Sequence, residues 1–400
     1  MEIHNIRGYL YEIFVGKHLK DNGFDECIKS KTTRGCVVNC QGEIEGRGEF
    51  HQIDFAGVYT KLTPYIYPLR VLAECKYYKT PLQKHIIRQY IGVIKDISEN
   101  YYVPSETKNS NKESIFDKQI PRFTDVPIIF SVNGFDTHSE NLAWAQGINL
   151  VSHRGIPIFD GIISLIDLIA QEIKDFCTHN RCKESDCIKL IKFAINKVDI
   201  STVTDFDDYK SVLHNLLMNQ DFEDIHDIFH HCFQRFCCNN VYEFAKKLKN
   251  INTFIIATTE KGTVLNLVSE ENFPIEYFQI NSEQLNNNTE YNPNRAQVGV
   301  YFESLDNENN NRVFYFQFNR NGNEDNRKFY FQPSRQMLSD QFPELSEQKR
   351  IDLKKDFMGI LSFIYDIDKV TRVLELEVKF PYETREELNK MLNITGENNE

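Results

Sequence analysis

Residues 51–90 read HQIDFAGVYTKLTPYIYPLRVLAECKYYKTPLQKHIIRQY. The first part belongs to a segment, Phe50 to Tyr59, that alternates with the period of a strand: Ile53 and Phe55 fall on one face, Gln52, Asp54 and Ala56 on the other. A connection containing Pro64 and Pro68 follows. Leu69 to Tyr78 is then an apolar strand that ends in Glu74-Cys75-Lys76. Because side chains alternate along a strand, Glu74 and Lys76 share one face, and Ala73, Cys75 and Tyr77 share the other. If Asp54 lies on the neighbouring strand of a hairpin, two carboxylates and an ammonium meet at one edge. Such a group suits a hard divalent cation and an activated water. Pro81 then opens a helix from about Leu82 to Glu99, since proline's missing amide costs nothing in the first turn. It buries Ile86, Ile87, Tyr90, Ile91, Val93 and Ile94 and shows Lys84, His85 and Arg88, a basic face that is either solvated or placed to hold a phosphate backbone.

Upstream, Asn5 to Asn22 repeats Ile6, Leu10, Ile13, Phe14 and Leu19 at helical spacing, with Gly23 as the stop. Glu12 falls inside this helix, where a carboxylate is either a plain solvated charge or part of the same site. Downstream, Val126 to Val132 is an apolar strand, Ser139 to Gln146 a helix, Gly147 to Val151 a short strand, and Asp160 to Phe176 an apolar helix. A strand, helix and strand in that order predict a right-handed crossover between parallel strands.

These features together resemble the Mrr-like branch of the PD-(D/E)XK restriction-endonuclease superfamily, over about residues 5–172. The resemblance rests on Gly8 and Glu12 in the first helix, Ile53-Asp54 with Gly57, Glu74-Cys75-Lys76, Gln89-Tyr90 with Gly92, and the run from Ile128 through Gly134-Phe135, Ala143 and Ala145 to Val151. The spacing of 20 positions between Asp54 and Glu74 is longer than the family's usual connection. The resemblance implies a restriction-endonuclease-like α/β fold, a mixed central sheet flanked by helices. It further implies that Asp54, Glu74 and the carbonyl of Cys75 bind Mg²⁺ or Mn²⁺. Lys76 would orient or help deprotonate the attacking water and offset charge on the phosphorane. Glu12 would act through a water or a second metal, and Gln89 would position the lysine or a phosphate. The implied activity is Mg²⁺-dependent hydrolysis of DNA in restriction or anti-phage defence, by a dimer or higher homo-oligomer. The alternative is a non-catalytic nucleic-acid-binding or oligomerisation protein that retains the fold.

Four hundred residues, 41% of them apolar, can bury more than one core. The boundaries expected are a nuclease domain over 1–176, a helical linker region over 177–250 and a separate α+β domain over 251–400. No run approaches the 18 to 20 apolar residues of a membrane span, and the first residues form no signal peptide, so a cytoplasmic protein with reduced cysteines is expected. Of the formal charge of −12, residues 1–176 carry 20 Lys and Arg against 22 Asp and Glu, or −2, which leaves −10 for the rest. An acidic half is a poor phosphate binder, so any nucleic acid should be gripped by the first half.

The second half suggests sensing, targeting or assembly, with a nucleotide or a protein as a possible activator. Cys177, His179, Cys182 and Cys187 cluster without a CxxC pair and read as reduced thiols rather than a zinc site. His230, His231, Cys232, Cys237 and Cys238 read as part of an apolar helix. Strands follow at Thr253 to Thr258, Thr263 to Val268, Val298 to Phe302, Val313 to Phe318 and Lys328 to Gln332, with Asn-rich turns such as 286–288, 309–311 and Asn321-Gly322. Their aromatic residues are expected in a core rather than stacked on bases. A helix Glu347 to Tyr365 and a strand Val373 to Phe380 close the pattern.

Overall fold

The computed structural model describes residues 1–28, 36, 38–61, 66–100, 122–180, 182–218, 239–260, 262–278, 294–304, 312–320, 323–333, 359–367, 370–379 and 381. The chain forms two compact units, one of residues 1–152 and 164–246, the other of residues 153–163 and 247–400. The helical segment after residue 176, expected as a linker, therefore belongs to the first unit as far as Lys246.

The first unit is mixed α/β. It begins with α1 (Ile3–Asp21), followed by β1 (Phe24–Glu26), β2 (Ile44–Glu45), β3 (Phe50–His51), β4 (Phe55–Tyr59), β5 (Leu69–Lys76) and α2 (Lys84–Ser98). Then come β6 (Thr124–Ser131), α3 (Thr137–Ala145), β7 (Asn149–Ser152), α4 (Pro157–Asn180), α5 (Glu184–Lys197), α6 (Phe206–Met218) and α7 (Asn239–Asn250), of which α4 up to Ile163 and α7 from Lys247 fall in the second unit. Helix α1 stops where the spacing predicts, because Gly23 adopts φ 87° and its amide closes on the Lys20 carbonyl. The sheet has the order β1-β4-β5-β6-β7. The pairs β1–β4 and β4–β5 are antiparallel, and β5–β6 and β6–β7 are parallel. Strand β4, which follows Asp54, and β5, which carries Glu74, are thus joined as a hairpin, and the parallel pair β6–β7 is connected through α3.

On one side of the sheet Ala56, Val58, Leu72 and Ile129 pack with Ile87, Tyr90, Ile94 and Ile97 of α2 and Ala143 of α3. The other side carries α1: a Cβ on Gly16 would sit 3.4 Å from the Phe55 ring, and Tyr11 meets Tyr77 edge-on.

Two local expectations need correction. The strand expected over Phe50 to Tyr59 is interrupted: β3 and β4 are separate, Asp54 lies in the bend between them, and Ile53 packs with Ala56 and Val58 rather than on the Phe55 face. Helix α2 begins at Lys84, not at Pro81. Leu82 is held out of it by an isolated parallel bridge to Phe135, its amide donating to Gly134 O and its carbonyl accepting from Asp136 N.

The second unit contains β8 (Thr253–Thr259), β9 (Val264–Ser269), β10 (Arg295–Ser304), β11 (Arg312–Arg320), β12 (Asn323–Glu324), β13 (Phe329–Phe331), β14 (Ile360–Ile367) and β15 (Val370–Lys379). Seven of them close on themselves in the order β10-β15-β14-β8-β9-β13-β11 and back to β10, with β12 added to the end of β11. An odd number of strands cannot alternate direction around a ring, so one pair must be parallel. That pair is β10–β15. Closure leaves the barrel no open edge.

Alternate residues fill the interior, among them Phe314, Phe316 and Phe318 of β11 and Phe329 and Phe331 of β13, with Phe316 stacked on Phe331 at 4.3 Å. The aromatic strands are core, as their period suggests. The described strands of this unit form a barrel, and the helix expected over Glu347 to Tyr365 is corrected in its last part. Residues 360–367 form β14, paired with β15 along its length and with β8 at Leu361 and Ser362, a setting that suits its isoleucines and aromatic residues. The start of that segment, the histidines and cysteines at 230–238 and the Asn-rich turns lie outside the described residues.

One ion pair ties β5 to β6. Arg70 and Asp125 stand opposite each other in register, bonded at 2.7 Å through Nε and 3.0 Å through Nη2, with their side chains only 8% and 9% exposed. Ser98 donates a further bond to Asp125 at 2.7 Å, and the Arg70 guanidinium lies over the Phe123 ring. Removing one partner strands a buried charge. Asp125→Ala should cost about 3–5 kcal/mol in urea denaturation, whereas Ser98→Ala, which removes a single bond, should cost about 1–2 kcal/mol.

Candidate active site

The site forms where β5 ends beside the bend before β4. The register of the hairpin sets Phe55 opposite Ala73, so Asp54 arrives at the level of Glu74, and the amide of the next residue, Cys75, donates to Asp54 Oδ2 at 2.7 Å. A strand residue turns its N–H and C=O toward the same neighbour, so the Cys75 carbonyl is directed to the β4 side as well. Glu74 and Lys76, two positions apart on one face, join in an ion pair from Lys76 Nζ to Glu74 Oε1. The Cys75 side chain is buried on the opposite face, and burial raises its thiol pKa, so it does not present a thiolate to the site.

Tyr90 of α2 supports this strand from beneath. Its hydroxyl donates to Leu72 O at 2.5 Å and stands 3.5 Å from Ile128 O, bridging β5 and β6 two residues before Glu74. Sequence reading gave Tyr90 no role beyond burial. Gln89, its neighbour, is exposed on α2 and, among the described residues, makes no hydrogen bond to Lys76 or the carboxylates. The contact with Lys76 expected for Gln89 is not made among the described residues; the residue that reaches the strand is Tyr90.

Glu12 of α1 does come to the site. Burial first, then the charges of Asp54 and Glu74, push its carboxyl up to about 8, with Lys76 acting in the opposite direction. Burial likewise raises Asp54 and Glu74 above the usual carboxylate range, and the Asp54 charge adds to the effect on Glu74. Burial would lower Lys76, but Glu74 and Asp54 more than offset it, so its proton is held more tightly than in water. Beside these carboxylates Lys76 is therefore a cation. Three carboxyl groups and one ammonium share a half-buried space; burial is the first reason all three acids are raised, and the neighbouring carboxylates add to it at Glu12 and Glu74.

That donor set is chemically suited to a hard divalent cation, which takes oxygen ligands and would relieve the repulsion. The side chains are not drawn together as a ligand shell: among the described residues no group of three His, Cys, Asp or Glu is arranged to hold a metal ion. Glu74 is turned to Lys76, and Asp54 to the Cys75 amide. The same holds at the cysteine cluster, where Cys177 and Cys187 Sγ stand 3.8 Å apart while His179 Nδ1 bonds to Asp175 O of its own helix.

An acid whose folded pKa is raised favours the fold most below its unfolded value, and loses that contribution as pH rises toward the folded value. For Glu12 the window runs from about 4.5 to about 8. Glu12→Gln should accordingly leave thermal stability in EDTA nearly unchanged at pH 5 and raise it at pH 8, by an amount on the order of 1 kcal/mol or more.

No family model matches this chain, and no curated protein matches it. A crystal structure of a protein of unknown function, AF1548, aligns with 18% identity over 36% of this chain, with a TM-score of 0.23. The aligned part spans 57% of that chain.

Proposed function

We propose that the first unit is a metal-dependent DNA endonuclease of the PD-(D/E)XK kind, with a restriction-endonuclease-like sheet. The observation that carries this reading is the convergence of Glu12, Asp54, Glu74 and Lys76, from three separate elements, at the end of the β4–β5 hairpin. The strand order, with an antiparallel hairpin followed by two parallel pairs, accords with it.

Asp54, Glu74 and the Cys75 carbonyl would hold Mg²⁺ or Mn²⁺, with Glu12 beside them. The metal, when bound, supplies a lowered pKa for the attacking water and positive charge at the scissile phosphate. The chain's own contribution is positioning. The Cys75 amide fixes Asp54, and the Tyr90 bridge fixes the strand that carries Glu74. Lys76, held protonated between Glu74 and Asp54, offers a positive charge where the transition state gathers negative charge.

Double-strand cleavage by one site per chain would call for a dimer or a larger assembly. A place in restriction or anti-phage defence follows from the resemblance. The barrel would then serve sensing, targeting or assembly, with a nucleotide or protein activator among its ligands. No described helix is long and apolar enough to cross a membrane.

A second reading is supported by the Glu74–Lys76 ion pair. A carboxylate already satisfied by an ammonium has less to gain from a metal, as expected of a nuclease fold kept for binding or oligomerisation. The two readings separate in one pair of measurements. Purified protein with Mg²⁺ or Mn²⁺ should nick plasmid DNA, and Asp54→Ala and Lys76→Ala should each lower the rate by at least about a thousandfold, the size of effect that loss of a transition-state charge contact reaches. Calorimetry with Mn²⁺ should give binding that Asp54→Asn removes. Equal nicking by all three proteins would end the nuclease reading, and absence of Mn²⁺ binding would favour the second.

A further inference from the structure

We infer that Lys192 of α5 and Lys20 of α1 form a grip for the backbone phosphates of duplex DNA beside the acidic site. The inference rests on the nuclease reading for its substrate, and it concerns a segment outside the residues that carry the family resemblance.

Helix α5 packs along α1 within the first unit, with Lys20 Nζ donating to Asn196 Oδ1 at 3.0 Å. This packing sets two ammonium groups on one carboxylate: Lys20 lies 2.5 Å from Glu26 Oε2, and Lys192 lies 3.4 Å from Glu26 Oε1. The other lysines of the two helices are differently placed. Lys17 is bonded to Asp21 one turn away, and Lys189 lies 3.9 Å from Asp186 on its own helix. Burial alone would raise the Glu26 carboxyl, but Lys192 and Lys20 hold it below its usual range, so the carboxylate is charged and shared. Glu26 itself pairs with Gly57 of β4, three residues after Asp54. Two cations therefore stand beside the strand that follows Asp54, at the margin of the acidic site.

Such a cation answers a physical need of the site. Three carboxylates repel a phosphodiester; a metal and Lys76 relieve this only at the scissile group, so flanking phosphates require separate cations. Lys192 is 53% exposed and Lys20 is 29% exposed. Each can turn from Glu26 to a phosphate while the other keeps the carboxylate neutralised. Duplex DNA fits better than an acidic protein because phosphates form a regular line that both lysines can meet, and each contact releases a counterion.

The test is fluorescence anisotropy of the full chain with a labelled DNA duplex, in Ca²⁺, across a salt series. Lys192→Gln should weaken binding about fivefold at low salt and reduce the slope of log Kd against log salt by about 0.9, the value for one phosphate contact. Lys189→Gln, on the same helix, should bind as wild type. Glu26→Gln, which frees both lysines, should bind about twofold tighter, a gain that a poorly folded variant cannot imitate. Wild-type affinity in Lys192→Gln, an equal loss in Lys189→Gln, no gain in Glu26→Gln, or no duplex binding by the wild type overturns the inference. If the duplex is bound with these dependences but Mg²⁺ and Mn²⁺ give no cleavage, the grip stands and the nuclease reading falls. If cleavage requires Asp54 and Lys76 while binding ignores Lys192, the grip alone falls.

Discussion

The hydrogen bond from the Cys75 amide to the Asp54 carboxylate is the constraint on which the site depends. Asp54 sits in a bend, outside any strand, and would have a choice of directions without it. The bond directs its carboxylate along the end of β5, to where Glu74 and Lys76 emerge. It also explains why the strand expected through Asp54 breaks there: a backbone paired straight through this point would carry the side chain out of reach of the amide.

Holding three carboxyl groups together opposes folding, and the surrounding structure must offset that cost. The offset comes from apolar packing on both faces of the sheet, α2 and α3 on one side and α1 on the other, with the buried Arg70–Asp125 pair locking β5 to β6 six residues before Lys76. Sites with raised acids and a rigid surround are where function and stability conflict. Here the conflict has a definite sign: neutralising an acid relieves the fold and removes a candidate ligand at once. Lys76 moderates the repulsion but cannot cancel it, being one cation among three acids.

The second unit solves a different problem. Its strands are rich in phenylalanine, and an open sheet of that composition would leave a sticky edge. Closure into a ring of seven removes the edge and turns alternate phenylalanines inward, at the expense of one parallel pair, β10–β15. Local pattern could reveal the strands and the inward period of Phe314, Phe316 and Phe318. It could not reveal the parallel closure, which joins residues about 80 positions apart, nor could it distinguish the segment before Tyr365 as strand, since a short apolar run satisfies both periods.

Much of the candidate site was legible in the sequence because its parts are local. Glu74 and Lys76 share a face through the two-residue period of a strand, and Gly23 ends α1 through its backbone freedom. Glu12 was ambiguous from periodicity alone, since a carboxylate on a helix reads the same whether it meets water or other acids. Gln89 and Tyr90 show the limit: adjacent residues on a helix point in different directions, and only packing against β5 decided that Tyr90 reaches the strand. The sequence by itself determined the elements and the charged residues they carry, because those follow from short-range periodicity and turn chemistry. The tertiary structure alone decided that Lys192 stands beside Glu26, because a contact across more than 160 residues arises from the packing of α5 on α1 and leaves no local mark.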